Sequence, residues 1–360
     1  MNTITTLFPH VIGQHPAKRK FEFYIKSFEK TGIVPNIMIT APKGAGKTML
    51  ARAFARNLLM EVKVEKDAID LVGSDHSDAV LYEAADTGTF TTTEIRPKKY
   101  HEINCATIKN LKQFVEEIMI PCMQDKYATF LFDECHMLPK DVTMALLTIT
   151  NPNKGNYNNF SYGGSEVEID FKRLTFLFAT TEPQEVFHAL IDRMERIDLD
   201  DYSYDELGQI LMLNTEKVTF EGDLLSKHIA PTLRGNGRAA QKMATNINNY
   251  VVQNDQMFDG MAIFTHKHWR RLCTTLDIMP HGINKIELRY LRALHRDGCI
   301  RLYNLAAKLG MTRAAIQSDA EVYLQKLNFI DVTVRGRELS KDAREMFEKH
   351  PELLEKGKSS

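Results

Sequence analysis

The 360-residue chain predicts an α/β nucleotide-binding domain with a parallel sheet between helices, followed by an all-α domain and a C-terminal winged helix. Three stretches carry that expectation. The segment Ala41-Pro42-Lys43-Gly44-Ala45-Gly46-Lys47-Thr48 lies between the apolar run 36–40 and a helical pattern over 49–56. The apolar run Phe130-Leu131-Phe132 ends in the carboxylates Asp133 and Glu134. Over 281–340, two helical patterns, a glycine-containing turn, a third helix and a hairpin follow in order.

The glycine-rich segment has the parts that hold nucleotide phosphates. Glycine permits close backbone approach, and a helix N-terminus carries partial positive charge, so the N–H groups of 44–48 form a cradle. Lys47 is placed to reach β/γ oxygens, and Thr48 to hold Mg²⁺, so ATP and Mg²⁺ are the expected cofactors. Pro42, Lys43, Gly44, Ala45, Gly46 and Met49 join these two as expected binding residues. The pattern G-x-x-x-x-G-K-[ST] is broken at its first position, where Ala41 stands. That position opens the turn and does not touch phosphate.

Composition bounds the rest. With 46 basic against 47 acidic residues and a net charge of −1, a uniformly basic nucleic-acid coat is excluded, so any DNA-binding surface must be local. Cys105, Cys122, Cys135, Cys273 and Cys299 form no C-x-x-C pair and read as reduced thiols of a cytosolic protein. Residues 1–8 lack a basic region followed by an apolar core, and no apolar run approaches membrane length. A soluble, unprocessed, cytoplasmic protein is expected.

In chain order, Val11-Ile12 precedes an amphipathic helix over 17–28; it is either plain core or the lining of a base pocket. Residues 61–99 turn polar and read as a surface insertion. A strand is expected over 100–105 and a helix over 108–124, with Ile108, Leu111, Val115, Ile118 and Met119 on one face.

Buried parallel strands deliver ligands at their C-terminal ends, which places Asp133 in the Mg²⁺ shell and Glu134 beside the attacking water. A helix over 142–149 and a β-hairpin over 154–172 come next, with Tyr157, Phe160 and Tyr162 at its tip, available to a partner, to DNA or to ordinary packing. The run 174–181 is another buried strand, and its terminal Thr181 would position water or sense the γ-phosphate. Past that strand, an arginine of the run 190–199, which holds Arg193 and Arg196, can reach a neighbouring subunit's nucleotide, where it would stabilise transition-state charge. An arginine here could equally make surface salt bridges with Asp192 or Glu195, the alternative reading of Arg196. Residues 203–252 look helical without strands, and Gly235-Asn236-Gly237-Arg238 opens a helix that would bring Arg238 toward phosphate.

The last segment has Leu288, Leu291 and Leu294 on its first helix. Its second helix covers 302–309 and stops at Gly310; its third is capped by Thr312, with Ile316, Ala320, Tyr323, Leu324 and Leu327 on one face. That is a helix-turn-helix, with a wing formed by strands around 329–330 and 338–339. Residues 281–340 hold ten Lys/Arg and six Asp/Glu, a local excess that suits phosphate contact. Arg313, Gln317, Arg335 and Arg337 are the expected DNA-facing residues, although winged helices also serve as protein-binding modules.

Taken in this order, the motifs resemble the AAA+ ATPases, and within them the RuvB family of Holliday-junction branch-migration motors. The resemblance covers the chain outside 61–99. Val11-Ile12-Gly13-Gln14 is similar to that family's adenine-side box, 41–48 to its Walker A loop, 130–134 to Walker B and Ala179-Thr180-Thr181 to sensor 1. By the same resemblance Arg193 falls at the trans-acting arginine finger and Arg238 at sensor 2. Residues 282–283 and 329–337 resemble the family's DNA-gripping winged helix, and the hairpin 154–172 stands where the family docks a RuvA-like junction-binding protein.

The resemblance implies a nucleotide-binding domain at 1–184, a helical lid at 185–277, a winged helix at 278–350 and a flexible tail at 351–360. It also implies a homo-oligomeric ring, hexameric in the family, that moves double-stranded or branched DNA in recombination, repair or replication as a DNA helicase, without a membrane. The chain departs from the family in the insertion 61–99, in Val332 and Val334 on the wing where the family has Arg and Pro, and in the hairpin tip. A diverged, phage-encoded relative would account for these departures. A clamp-loader-like subunit, a DExH helicase read from Asp133-Glu134-Cys135-His136, and a winged-helix regulator or scaffold whose assembly ATP controls are the competing readings. The DExH reading lacks room for a second motor domain before residue 280.

Overall fold

The structure is a computed structural model that describes residues 7–67, 89–151, 154–254 and 261–354. It divides into two compact units, one of residues 1–214 and 235–245, the other of 215–234 and 246–360.

The first unit is built on β1 (Ile37–Thr40), β2 (Leu59–Asp67), β3 (Thr89–Pro97), β4 (Lys99–Asn104), β5 (Ala128–Asp133), β6 (Tyr157–Tyr162), β7 (Ser165–Asp170), β8 (Leu174–Thr180) and β9 (Glu195–Asp198). Five of these form one sheet in the order β4-β5-β8-β1-β9, with every pairing parallel. All residues of β1 and β8 are buried, as expected of strands covered on both faces.

Because side chains alternate along a strand, each strand supplies two cores. Met38, Phe130, Phe132, Phe176 and Phe178 face one side, where they pack with Val115, Met119, Leu146 and Ile149. Ile37, Ile39, Leu131, Leu177, Ala179 and Ile197 face the other, against Phe21, Ile25, Leu50 and Phe54. On the first face the rings of Phe132 and Phe178 stack at 5.0 Å and those of Phe130 and Phe176 at 5.4 Å. Aromatic side chains are rewarded here because they bury large area in offset contact.

Several boundaries differ from the sequence expectation. The first helix runs over His15–Thr31, entered through Gly13 and Gln14, both with positive φ. The helix expected over 108–124 begins at Leu111, because the Asn110 side chain caps it by accepting from Gln113 N; its middle, Phe114–Met119, is wound as a π-helix. Ile108 precedes it yet joins the same core as Val115 and Met119. The start of the polar stretch 61–99 pairs with its end, β2 against β3 antiparallel, while Asp75, His76, Ser77 and Asp78 lie outside the described residues.

The hairpin expectation needs correction at its tip. β6 and β7 turn at Gly163 and Gly164, both with positive φ, so Tyr157 sits at the open end. Phe160 is buried in the core, and the Tyr162 hydroxyl donates to Glu116 at 3.0 Å. The phenylalanine follows the strand alternation inward, so the three aromatics form no exposed tip.

Residues 203–252, expected to hold no strand, contain one in the part that belongs to the second unit. β10 (Val218–Phe220) pairs in parallel with β11 (Ala262–Phe264). Helices Lys285–Asp297, Leu302–Leu309 and a helical stretch over 313–326 enclose a core of Leu288, Leu291, Leu305, Ile316 and Leu324. Gly310 ends the second helix in the left-handed region, and the Thr312 hydroxyl caps the third by accepting from Ala315 N. β12 (Ile330–Val332) and β13 (Arg337–Leu339) pair antiparallel as the wing. Residues 351–353, expected within a flexible tail, form a 3-10 turn.

Candidate nucleotide site and nucleic-acid face

β1, β8 and β5 end side by side, and the loop that leaves β1 crosses their C-terminal ends. Ala41 N donates to Thr180 O at 3.2 Å, and the loop then takes positive φ at Gly44 (81°) and Gly46 (94°). A Cβ on Gly46 would stand 2.8 Å from the Tyr202 hydroxyl, and one on Gly44 would collide with the Asn236 amide. Both positions therefore require glycine for conformation and for space. Gly237 N donates to Gly44 O at 3.0 Å, which holds the segment 235–238 against the loop.

A cavity of about 900 Å³ lies over this loop. Lys43, Gly44, Gly46, Lys47, Thr48 and Met49 line one side, as expected. Pro42 and Ala45 do not line it. Pro42 faces solvent, and Ala45 packs into the core beneath the loop because the turn directs its methyl inward. Val11 and Ile12 border the cavity together with Leu7, Phe8, Ile210 and Leu213, an apolar end suited to a nucleotide base.

Lys47 is only 7 % exposed, and its ammonium reaches the Ala41 carbonyl at 3.4 Å. Burial lowers its pKa, while Glu134 and Asp133 oppose that shift. A buried cation facing an open cavity is matched to an anionic guest. Thr48 Oγ1 donates to Asp133 Oδ2 at 3.2 Å, and burial, reinforced by Glu134, raises the Asp133 pKa. A hydroxyl and a carboxylate are the hard oxygen donors that Mg²⁺ takes, so the residues present fit the ion.

Glu134 sits in the left-handed region at φ 52°, ψ 49°, a costly conformation for a non-glycine residue. Its Oε2 accepts from Thr181 Oγ1 at 3.1 Å. His136 Nδ1 stands 3.5 Å from the same oxygen and 2.9 Å from Thr180 Oγ1. Asp133 and Glu134 both line the cavity, whereas Thr181 does not and reaches it only through Glu134.

Arg238 borders the cavity, close enough to Lys47 to lower its pKa. Arg193 is elsewhere. It is exposed, its guanidinium donates to Ala189 O, and it borders a separate cleft with Asn36, at the start of β1 and so at the end of the sheet opposite Thr48. Arg196 pairs with Asp198 rather than with Asp192 or Glu195.

His136, Tyr202 and Asn236 were missed by sequence reasoning. His136 was visible only as the last letter of Asp-Glu-Cys-His, and Asn236 only inside the glycine-rich segment. Tyr202 carried no signal, since its contact with Gly46 is set by chain folding.

On the winged helix, Arg313 and Gln317 are exposed on the third helix and Arg335 on the wing. Arg337 is a correction. Its guanidinium turns inward to Glu321, with Nε 2.8 Å from Oε1, and Tyr290 donates to that same oxygen at 2.9 Å. β13 alternation directs it under the wing, and Val334 instead forms a fully exposed tip.

Residues 37–200 match the model of the family described as ATPase family associated with various cellular activities (AAA), and 280–348 match the RuvB C-terminal winged helix domain. The RuvB subunits of the Holliday junction branch migration complex from Campylobacter curvus and Campylobacter concisus are each 24 % identical over 345 residues, covering 94 % of this chain and 89 % of theirs. The fold resembles the Thermotoga maritima RuvB Holliday junction branch migration motor at TM-score 0.63 and 20 % identity, over 94 % of this chain and 95 % of that one. A mutant of the same protein gives TM-score 0.64 at 19 % identity, over 95 % and 97 %. No helix among the described residues is long and apolar enough to cross a membrane.

Proposed function

We propose that the chain, which matches the AAA and RuvB winged-helix models and RuvB relatives over most of its length, is a RuvB-like AAA+ ATPase, an ATP-driven motor that moves double-stranded DNA and remodels Holliday junctions or similar branched intermediates. One observation carries the reading: a winged helix of the RuvB type stands on the same chain as the AAA module. An AAA module alone serves many tasks.

The site residues take the following roles. Lys47 and the N–H groups of 44–48 hold the phosphates, and Thr48 and Asp133 hold Mg²⁺, which when bound neutralises charge on the phosphate oxygens. Glu134 orients and deprotonates the attacking water, and Thr181 fixes the carboxylate that does so. Arg238 supports phosphate from the helix that begins at Gly237. Arg193 lies at the far end of the sheet from its own Thr48, a position that supports its serving a neighbouring subunit in the proposed ring. Arg313, Gln317 and Arg335 face DNA. The proposed division is a nucleotide domain over 1–184, a lid over 185–277 and a winged helix over 278–350. The β6–β7 hairpin, with its glycine turn, is the proposed docking element for a RuvA-like protein.

Synthetic four-way junctions with one labelled arm test the function. The wild type with ATP and Mg²⁺ is expected to resolve them into forked duplexes, and E134Q is not. Wild-type protein that hydrolyses ATP yet leaves junctions intact overturns the reading.

A further inference from the structure

Far from the phosphate loop in sequence, β10 and β11 run parallel and leave their two-stranded sheet at the same end. The segments that follow them meet there: Glu221 N donates to Phe264 O at 3.1 Å. Asp223 and His228 follow β10, and His266 follows β11. Their ligand atoms all lie within 4.8 Å of one another.

The hydrogen bonds fix how these groups face. Glu221 Oε2 accepts from the backbone N of His266 at 2.8 Å and lies 3.0 Å from its Nδ1. A carboxylate on Nδ1 makes that nitrogen the protonated one and leaves Nε2 with its lone pair. His266 Nε2 faces Asp223 Oδ1 at 3.8 Å. The other oxygen of Asp223 is held by Lys227 at 2.7 Å. The His228 ring stands edge-on to His266, with centroids 5.0 Å apart.

We infer that Asp223, His228 and His266 form a divalent transition-metal site of the zinc class, with Glu221 orienting His266 from behind. Two imidazoles and one carboxylate suit Zn²⁺ rather than Mg²⁺ or Ca²⁺, which prefer all-oxygen shells. Ligand atoms on one tetrahedral ion with bonds of ~2.0–2.1 Å stand roughly 3.3 Å apart. The present spacing closes to that by side-chain rotation at the exposed ends. The ion would tie the segment after β10 to the helix His266–Leu276, linking residues far apart in sequence and stabilising this unit. Lys227 competes for Asp223 and weakens the site.

The full-length protein, titrated with Co²⁺ and then Zn²⁺ in excess Mg²⁺, tests this. The expected result is visible d–d absorption of tetrahedral Co²⁺ that Zn²⁺ abolishes, and a Zn²⁺-dependent rise in unfolding temperature. H228A and H266A should lose both. E221Q should weaken binding roughly tenfold or more, and K227Q should tighten it. Failure of the wild type to bind Co²⁺, or a spectrum unchanged in H228A and H266A, overturns the site. Should the histidine variants fail to fold, D223N and K227Q decide it: D223N must weaken and K227Q must strengthen Co²⁺ binding, and any other pair of results contradicts it.

Discussion

Thr181 Oγ1 donates to Glu134 Oε2 at 3.1 Å, so the hydroxyl at the end of the central strand holds the carboxylate at the end of its neighbour. Since β8 lies between β1 and β5, Thr181 stands between the phosphate loop and the proposed base. A hydroxyl there touches the carboxylate, and on the proposed reading it acts through that group.

E134Q should bind ATP as the wild type does and lose turnover by about 10²–10⁴-fold, the usual contribution of a positioned base. Nucleotide binding and steady-state hydrolysis, measured on the same preparation, check this.

T181V should lower kcat while leaving the apparent KM for ATP little changed. Combined with E134Q it should cost almost nothing further, because the two residues act as one unit. An additive double variant would show that Thr181 acts separately.

R193A should be inactive, losing about 10³–10⁵-fold of turnover if its guanidinium completes a neighbour's site. Mixing it with inactive K47A should restore partial hydrolysis, since mixed rings place an intact Arg193 beside an intact Lys47. Absence of rescue at any ratio would argue against a site shared between subunits.

Arg335 and Arg337 should behave differently despite their spacing. R335A should weaken DNA binding and flatten its salt dependence with stability unchanged. R337M leaves Glu321, whose side chain is 6 % exposed, with the Tyr290 hydroxyl but without its cation, and should destabilise the winged helix by about 3 kcal/mol. Denaturant unfolding monitored alongside DNA affinity separates the two.

Lys98 supplies a pH test. Its ammonium is buried, donates to Lys172 O at 2.8 Å and to Thr175 Oγ1 at 3.0 Å, and burial lowers its pKa to about 7. Between that value and the ordinary lysine value the unfolded chain binds a proton that the folded chain does not, so this residue lowers stability as pH falls through the window. The stability of K98M relative to wild type should therefore rise as pH falls from 10 to 7. A difference flat across that range would contradict the assignment.

The sheet and phosphate loop were legible because strands buried on both faces are written as unbroken apolar runs, and because the glycine requirement at 44 and 46 is local. Asp133 and Glu134 were found by the same rule. Arg337 was not, since its partner Glu321 belongs to a different element and Arg-Gly-Arg reads alike whether its side chains point out or in. β10 and β11, three residues each, are too short to show a period and pair only through tertiary contact. Phe160 was misread for a different reason: the hairpin was recognised, but residues 157–162, which form its first strand, were assigned to its tip, which put an inward residue at the turn.

The most direct measurement of the central claim is the ATP hydrolysis rate of the full-length protein with no DNA, single-stranded DNA, linear duplex and a four-way junction at equal nucleotide concentration. A motor of this kind should be stimulated severalfold by duplex and junction DNA and little by single strands, with R335A losing the stimulation and keeping the basal rate. A basal rate unmoved by every DNA would contradict the motor and favour a chain in which ATP governs assembly alone.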